Sequence, residues 1–343
     1  MSATASNQRI QTNGTPVTIL TGFLGAGKTT LLNHILSNQD GLKTAVLVNE
    51  FGEIGIDNDL VVSTSADMVE LSNGCICCTI NGELLEAVDR ILKRPEPLDY
   101  LVVETTGLAD PLPVAMTFLG SELRDQTRLD SIITLVDAEN CNARVFESEV
   151  GRSQIIYGDI LLLNKTDLVS TERVKDLEEN LRSIKKDARI LHSVKGDVPL
   201  PLLMSVGLFE SDRVATKADH DDHGHDHAHH DHAHHDHADH LDIEGYTSLS
   251  FSSDGPFSLR KFQNFLDNQL PESVFRAKGI LWFNESEKRH VFHLAGKRFS
   301  IDDSDWDGER KNQLVLIGQE MDHTTLRRQL QACVAKDAGQ GFS

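Results

Sequence analysis

The sequence predicts an α/β protein: a doubly wound domain over residues 16–206 and a smaller C-terminal α+β domain. Three observations carry this. Residues 16 to about 195 alternate short, continuous apolar runs with segments of helical periodicity, as parallel strands covered on both faces require. A glycine-rich turn joins the first apolar run to the first helical segment. A tract of His and Asp then interrupts the pattern, and beyond it strands and helices recur in a different order.

Taken in order, residues 17–20 form the first strand and 29–36 the helix after it. Further buried strands are expected at 45–48, 100–103, 132–136 and 160–163, with helices at 83–92 and 172–184. Residues 1–15, rich in Ser, Thr, Asn and Gln, read as a disordered arm. Residues 219–240 hold eleven His and seven Asp among 22 positions, built on the repeated unit Asp226-His227-Ala228-His229-His230. That composition cannot form a core, so 207–243 reads as a linker. The second domain spans 244–336, with strands at 246–251, 279–283, 289–294 and 313–317 and helices at 257–266 and 324–334. A tail over 337–343 follows.

A net charge of −20 argues against nucleic acid or an anionic membrane as partner, because both demand basic surface. No apolar run reaches the about 18 residues needed to span a bilayer, and the first 15 residues lack the apolar centre of a secretory signal. Five cysteines, three of them clustered, do not make an even disulfide framework. The expectation is a cytoplasmic protein whose thiols stay reduced.

Gly22-Phe23-Leu24-Gly25-Ala26-Gly27-Lys28-Thr29, followed by Thr30, has the spacing of a phosphate-binding loop between strand and helix. Its backbone N–H groups and the helix N-terminus would hold phosphate oxygens. Lys28 would neutralise the β- and γ-phosphates, and the Thr29 hydroxyl would ligate Mg²⁺. At the end of the run 160–163 stands Asn164-Lys165-Thr166-Asp167. The Asp167 carboxylate can accept from N1–H and the 2-amino group of guanine, a donor pair adenine lacks, so GTP is selected over ATP. Glu104 closes the strand 100–103, where an acidic residue supports Mg²⁺ through water, and Gly107 can offer its N–H to the γ-phosphate. Position 108 is Leu where many small GTPases carry the glutamine that orients water, so slow intrinsic hydrolysis is expected. Asn49-Glu50-Phe51-Gly52-Glu53-Ile54-Gly55-Ile56-Asp57 reads as a mobile switch. A small-molecule kinase on the same loop is the rival, and the Asn164–Asp167 motif speaks against it.

Cys75-Ile76-Cys77-Cys78 follows Lys28 by 47 residues. Three thiolates hold Zn²⁺, Cu⁺ or Fe–S iron, and three ligands leave a fourth position open, which suits metal transfer better than a closed structural site. A redox pair or simple packing are the alternatives. In the His/Asp tract, His225, His227, His229, His230, His232, His234, His235 and His237 offer weak, multivalent capture of divalent ions, unless the tract is a neutral expansion. Such capture depends on pH near the histidine value of about 6.5. Imidazole does not choose among Ni²⁺, Co²⁺, Cu²⁺ and Zn²⁺. Lone Cys141 and Cys333 read as packing residues, and His34, His192, His290, His293 and His323 as structural, although His290 and His293 could join a site.

With these motifs in this order, the chain resembles the CobW family of metal-chaperone GTPases, which includes the zinc-regulated GTPase metalloprotein activators. The match runs on through Lys278-Gly279-Ile280-Leu281-Trp282-Phe283, Trp306 and Arg310 to Leu314-Val315-Leu316-Ile317-Gly318, and so covers roughly residues 16–335. The resemblance implies a P-loop GTPase domain using GTP and Mg²⁺, which loads a metal into a client apo-metalloprotein. That metal is most often zinc, with Co²⁺ or Ni²⁺ as alternatives. It also implies that Cys75, Cys77 and Cys78 carry the metal. A cobalt-handling protein of cobalamin biosynthesis, a nitrile hydratase activator and a GTP-tuned metal buffer or sensor without a client stay open, as does homo-oligomerisation. The eukaryotic activators that serve methionine aminopeptidase carry a Cys-Pro docking motif near the N-terminus. Here no cysteine precedes Cys75 and Pro16 is the sole proline of the first 90 residues, so whether that client is served stays open.

Overall fold

The structure, a computed structural model, describes residues 14–38, 42–49, 68–71, 80–95, 97–204, 246–306 and 308–335. These fall into two compact units, one ending at Asp197 and one beginning at Val198. Residues 50–57 of the switch expected over 49–57, the thiols Cys75, Cys77 and Cys78 and the His/Asp tract lie outside the described residues.

In the first unit the strands are β1 Thr15–Gly22, β2 Thr44–Asn49, β3 Met68–Leu71, β4 Tyr100–Glu104, β5 Thr127–Asp137, β6 Ile160–Asn164 and β7 Ile190–Ser193. They pair in parallel in the order β3-β2-β4-β1-β5-β6-β7. The helices are α1 Lys28–Ser37, α2 Ile80–Leu92, α3 Pro111–Leu119, α4 Ala143–Glu147, α5 Glu149–Tyr157 and α6 Thr171–Ile184. Their starts follow from local chemistry. Asp110 accepts from Leu112 N ahead of Pro111, and Ser148 and Ser170 accept from the N–H groups of Gly151 and Arg173. Val17, Ile19, Ala45, Leu47, Leu101 and Val103 pack against Leu84 and Val88 of α2 and Val114 and Phe118 of α3. The alternate positions Leu20, Val46 and Val102 are equally buried, so both sheet faces are covered, as the continuous apolar runs require.

Short β3 and β7 were not expected. Each has only four residues, too few to stand out as a run, and His192 interrupts β7. Also unforeseen is a buried polar cluster on β1, β4 and β5. Thr18 Oγ1 lies 2.8 Å from the Tyr100 hydroxyl and 3.1 Å from Ser131 Oγ, Tyr100 donates to Asp130, and Arg128 pairs with Asp130 at 3.3 Å.

In the second unit α7 Leu200–Leu203 precedes β8 Tyr246–Ser253, α8 Leu259–Asn264, β9 Val274–Leu281, β10 Arg289–Ala295, β11 Arg298–Ser304, β12 Asn312–Gln319 and α9 His323–Cys333. The sheet is antiparallel in the order β11-β10-β9-β12-β8. Phe262 of α8 sits at the centre of an aromatic cluster, 5.4 Å from the Phe257 and Phe292 rings and 5.7 Å from Phe283. The strand expected at 279–283 begins earlier, at Val274, and ends at Leu281, because Trp282 and Phe283 turn to the Phe257 backbone. Phe257 N donates to Trp282 O at 2.7 Å, and Asn284 N donates to Phe257 O at 2.8 Å. The helix expected at 257–266 starts at Leu259 and closes with a π turn, Phe265–Gln269. Edge strand β11 has no fully buried residue, hence no apolar signature. The segment 198–204 packs with this unit rather than the first, since Arg276 donates to the carbonyls of Leu202 (3.1 Å) and Leu203. Among the described residues no helix is long and apolar enough to cross a membrane.

Candidate functional site

β1 stands between β4 and β5 while the chain leaves it for β2, so the loop after β1 opens at a reversal of strand order, where open α/β sheets bind ligands. That loop is Gly22–Gly27. Gly22 (φ 133°), Gly25 (φ 76°) and Gly27 (φ 101°) take conformations that side chains resist. A Cβ on Gly22 would lie 2.3 Å from Leu135 O, and one on Gly27 would lie 2.4 Å from Asn164 Nδ2. Gly27 caps α1 without a side chain, and Lys28 and Thr29 follow in the first turn. The result is a cradle of backbone N–H groups at a helix N-terminus, fit for phosphate. Lys28 Nζ bridges the loop, donating to Gly22 O at 3.0 Å and Phe23 O at 3.3 Å.

Glu104, buried at the end of β4, stands in register with Leu20 of β1 and Val48 of β2. Thr105 N donates to Leu20 O (2.9 Å) and Thr105 Oγ1 to Thr21 Oγ1 (3.0 Å), which ties this loop to β1. Gly107 approaches so closely that a Cβ would lie 2.7 Å from Leu24 N. Thus Glu104, Gly107, Lys28 and Thr29 converge on one end of the sheet.

Asn164 joins this end to the next loop. Its Nδ2 donates to Ala26 O at 3.0 Å, while its Oδ1 accepts from Ser193 Oγ and Gly196 N, each at 3.0 Å. Lys165 turns the chain in the left-handed conformation (φ 63°), and the short 3₁₀ turn Thr166–Leu168 then leaves Asp167 exposed. Thr166 Oγ1 donates to Ser193 O at 3.2 Å.

Two residues missed by sequence reasoning hold these loops. Gln154 of α5 is buried and donates to Ala109 O at 3.0 Å and Gly107 O at 3.4 Å. Nothing in its helical context marks it. Asp137, the last residue of β5, accepts from Lys165 Nζ at 2.7 Å and from Asn140 Nδ2 at 3.0 Å, and also from the backbone N–H groups of Glu139 and Asn140. Burial alone would raise its carboxyl, but the bonds from Asn140 and Lys165 outweigh it and hold the group below its ordinary value. A carboxylate closing the apolar run 132–136 was a usable signal. Phe23, Leu24, Asp137, Asn140, Cys141 and Gln154 share one crevice beside the loop.

Among the described residues no group of three or more His, Cys, Asp or Glu side chains could hold a metal ion. The lone cysteines are packed, with burial pushing the thiols of Cys141 and Cys333 up to about 11. His290 pairs with Asp303 across β10 and β11 at 2.7 Å, and His192 with Glu178 at 2.5 Å.

Residues 16–192 match the family described as the CobW/HypB/UreG nucleotide-binding domain, and 246–334 match the cobalamin synthesis protein CobW C-terminal domain. The chain is 35% identical to the zinc chaperone YjiA of Escherichia coli, over 92% of this chain and 97% of that protein. It is 30% identical to zinc-regulated GTPase metalloprotein activator 1 of Dictyostelium discoideum, over 94% of this chain and 80% of that one. A solved structure, Zn(II)-bound YjiA GTPase from E. coli, aligns over 94% of this chain and 100% of its own at 30% identity, with a TM-score of 0.46.

Proposed function

Since the chain belongs to the CobW family, with both its nucleotide-binding and its C-terminal domain, we propose that it is a GTPase that carries zinc and delivers it to a client apo-metalloprotein. The observation that carries this reading is the convergence of Gly22–Thr30, Glu104–Gly107 and Asn164–Asp167 on one end of a single parallel sheet. The loop N–H groups and Lys28 hold the phosphates, and Asp167 reads guanine. Thr29 and Glu104 would hold Mg²⁺, which neutralises charge on the β- and γ-oxygens. With Leu108 in place of a water-orienting amide, hydrolysis is slow until a partner supplies one.

Zinc is the cargo that the names of the relatives support. Cys75, Cys77 and Cys78 would carry it, in the stretch of sequence between β3 and α2. Deprotonated thiols bind it best, and a reducing cytosol keeps them available. The nucleotide then controls release. GTP favours one arrangement of the loops and hydrolysis the other, so nucleotide and zinc must alter each other's affinity by the same factor. Zinc titrations of the GDP form and of the form bound to a slowly hydrolysed GTP analogue should differ by about tenfold or more. Equal affinities would leave no coupling for a chaperone cycle to use.

A further inference from the structure

We propose that Asp137 is a positioning residue for guanine selection, acting through Lys165; this rests on the GTPase reading above. Asn164 and Lys165 are neighbours in the chain but reach in different directions. Asn164 is tied to the phosphate loop at Ala26 O, whereas Lys165 is tied to the end of β5 through Asp137. A second link lies beneath that pair, because Asp137 stands opposite Asn164 in the β5–β6 register and Ala138 N donates to Asn164 O at 2.9 Å. Asp137 is itself held by three bonds from the turn it begins, from Glu139 N (2.9 Å), Asn140 N (3.1 Å) and Asn140 Nδ2 (3.0 Å). A buried carboxylate so fixed is a rigid anchor for a flexible ammonium. The backbone at Lys165 is left-handed, a conformation that favours glycine, and Asp167 follows two residues later. Anchoring the Lys165 side chain therefore holds the turn that aims the Asp167 carboxylate at the base edge. Asp137 needs no contact with nucleotide for this role.

The test is a double-mutant cycle on the full chain, reading the affinity of fluorescent GDP and ADP analogues in wild type, Asp137→Asn, Lys165→Met and the double variant. Asp137→Asn keeps the shape and removes the charge. It should weaken GDP binding about tenfold and leave ADP binding little changed, so that guanine preference falls; a charge-assisted bond of this kind supports that magnitude. The double variant should bind GDP no more weakly than Lys165→Met alone. GDP affinity within about twofold of wild type, or effects that simply multiply in the double variant, would overturn the inference. If Asp137→Asn does not fold, as read by circular dichroism, Lys165→Met with Asp137 intact must lose guanine preference, and retained preference overturns it. If wild type itself shows no preference for GDP over ADP, the GTPase reading fails first.

Discussion

At the residue scale, Asn164 has the largest structural part for its size. One amide closes three hydrogen bonds that join the phosphate loop, the end of β7 and the Gly196 turn. Asn164→Ala strands Ala26 O and Gly196 N in a buried position, at a cost of about 1–3 kcal/mol for each group left unpaired. We expect a lower urea midpoint with an unchanged slope, together with weaker GDP binding. An unchanged midpoint would mean that water replaces the amide. Asp137 adds a dependence on pH. Its carboxyl titrates below its ordinary value of 3.8, so the stability it contributes is present above that pH and is lost as pH falls through the folded value.

At the element scale, the two sheets are secured differently. The parallel sheet is clamped by helices on aliphatic surface, whereas the C-terminal sheet depends on one aromatic cluster under α8. Phe262 touches four other phenylalanine rings there. Phe262→Ala should destabilise the second unit by about 3–5 kcal/mol, because the surrounding rings cannot collapse into the space. Calorimetry would show a lowered transition for that unit while GDP binding by the first persists. A single unchanged transition would contradict this account. The elements that sequence reasoning missed are instructive here. β3 and β7 are too short to show a run, and edge strand β11 lacks a buried residue, so hydrophobic pattern had nothing to register.

At the scale of the whole molecule, we propose that the His/Asp tract, in a chain of net charge −20, serves metal supply rather than the nucleotide cycle. Deleting residues 219–240 should leave GTP hydrolysis and client loading intact when zinc is abundant, and should slow loading only when zinc is scarce. A protein that lost all metal function on this deletion, with the thiols intact, would be a buffer and not a chaperone. Comparing the wild type and the deletion variant across a range of free zinc decides between them.

The GTPase class was legible in the sequence because the motifs that point to it, Gly22–Thr29 and Asn164–Asp167, are contiguous. The five longer parallel strands, β1, β2, β4, β5 and β6, were legible for a related reason: burial on both faces writes an unbroken apolar run. Tertiary structure alone decided how these pieces are held in register. The Asn164 bond to Ala26 spans 138 residues of sequence, that of Gln154 to Gly107 spans 47 and that of Lys165 to Asp137 spans 28. Such pairs come from the order β4-β1-β5-β6, and no local periodicity encodes which strand lies beside which.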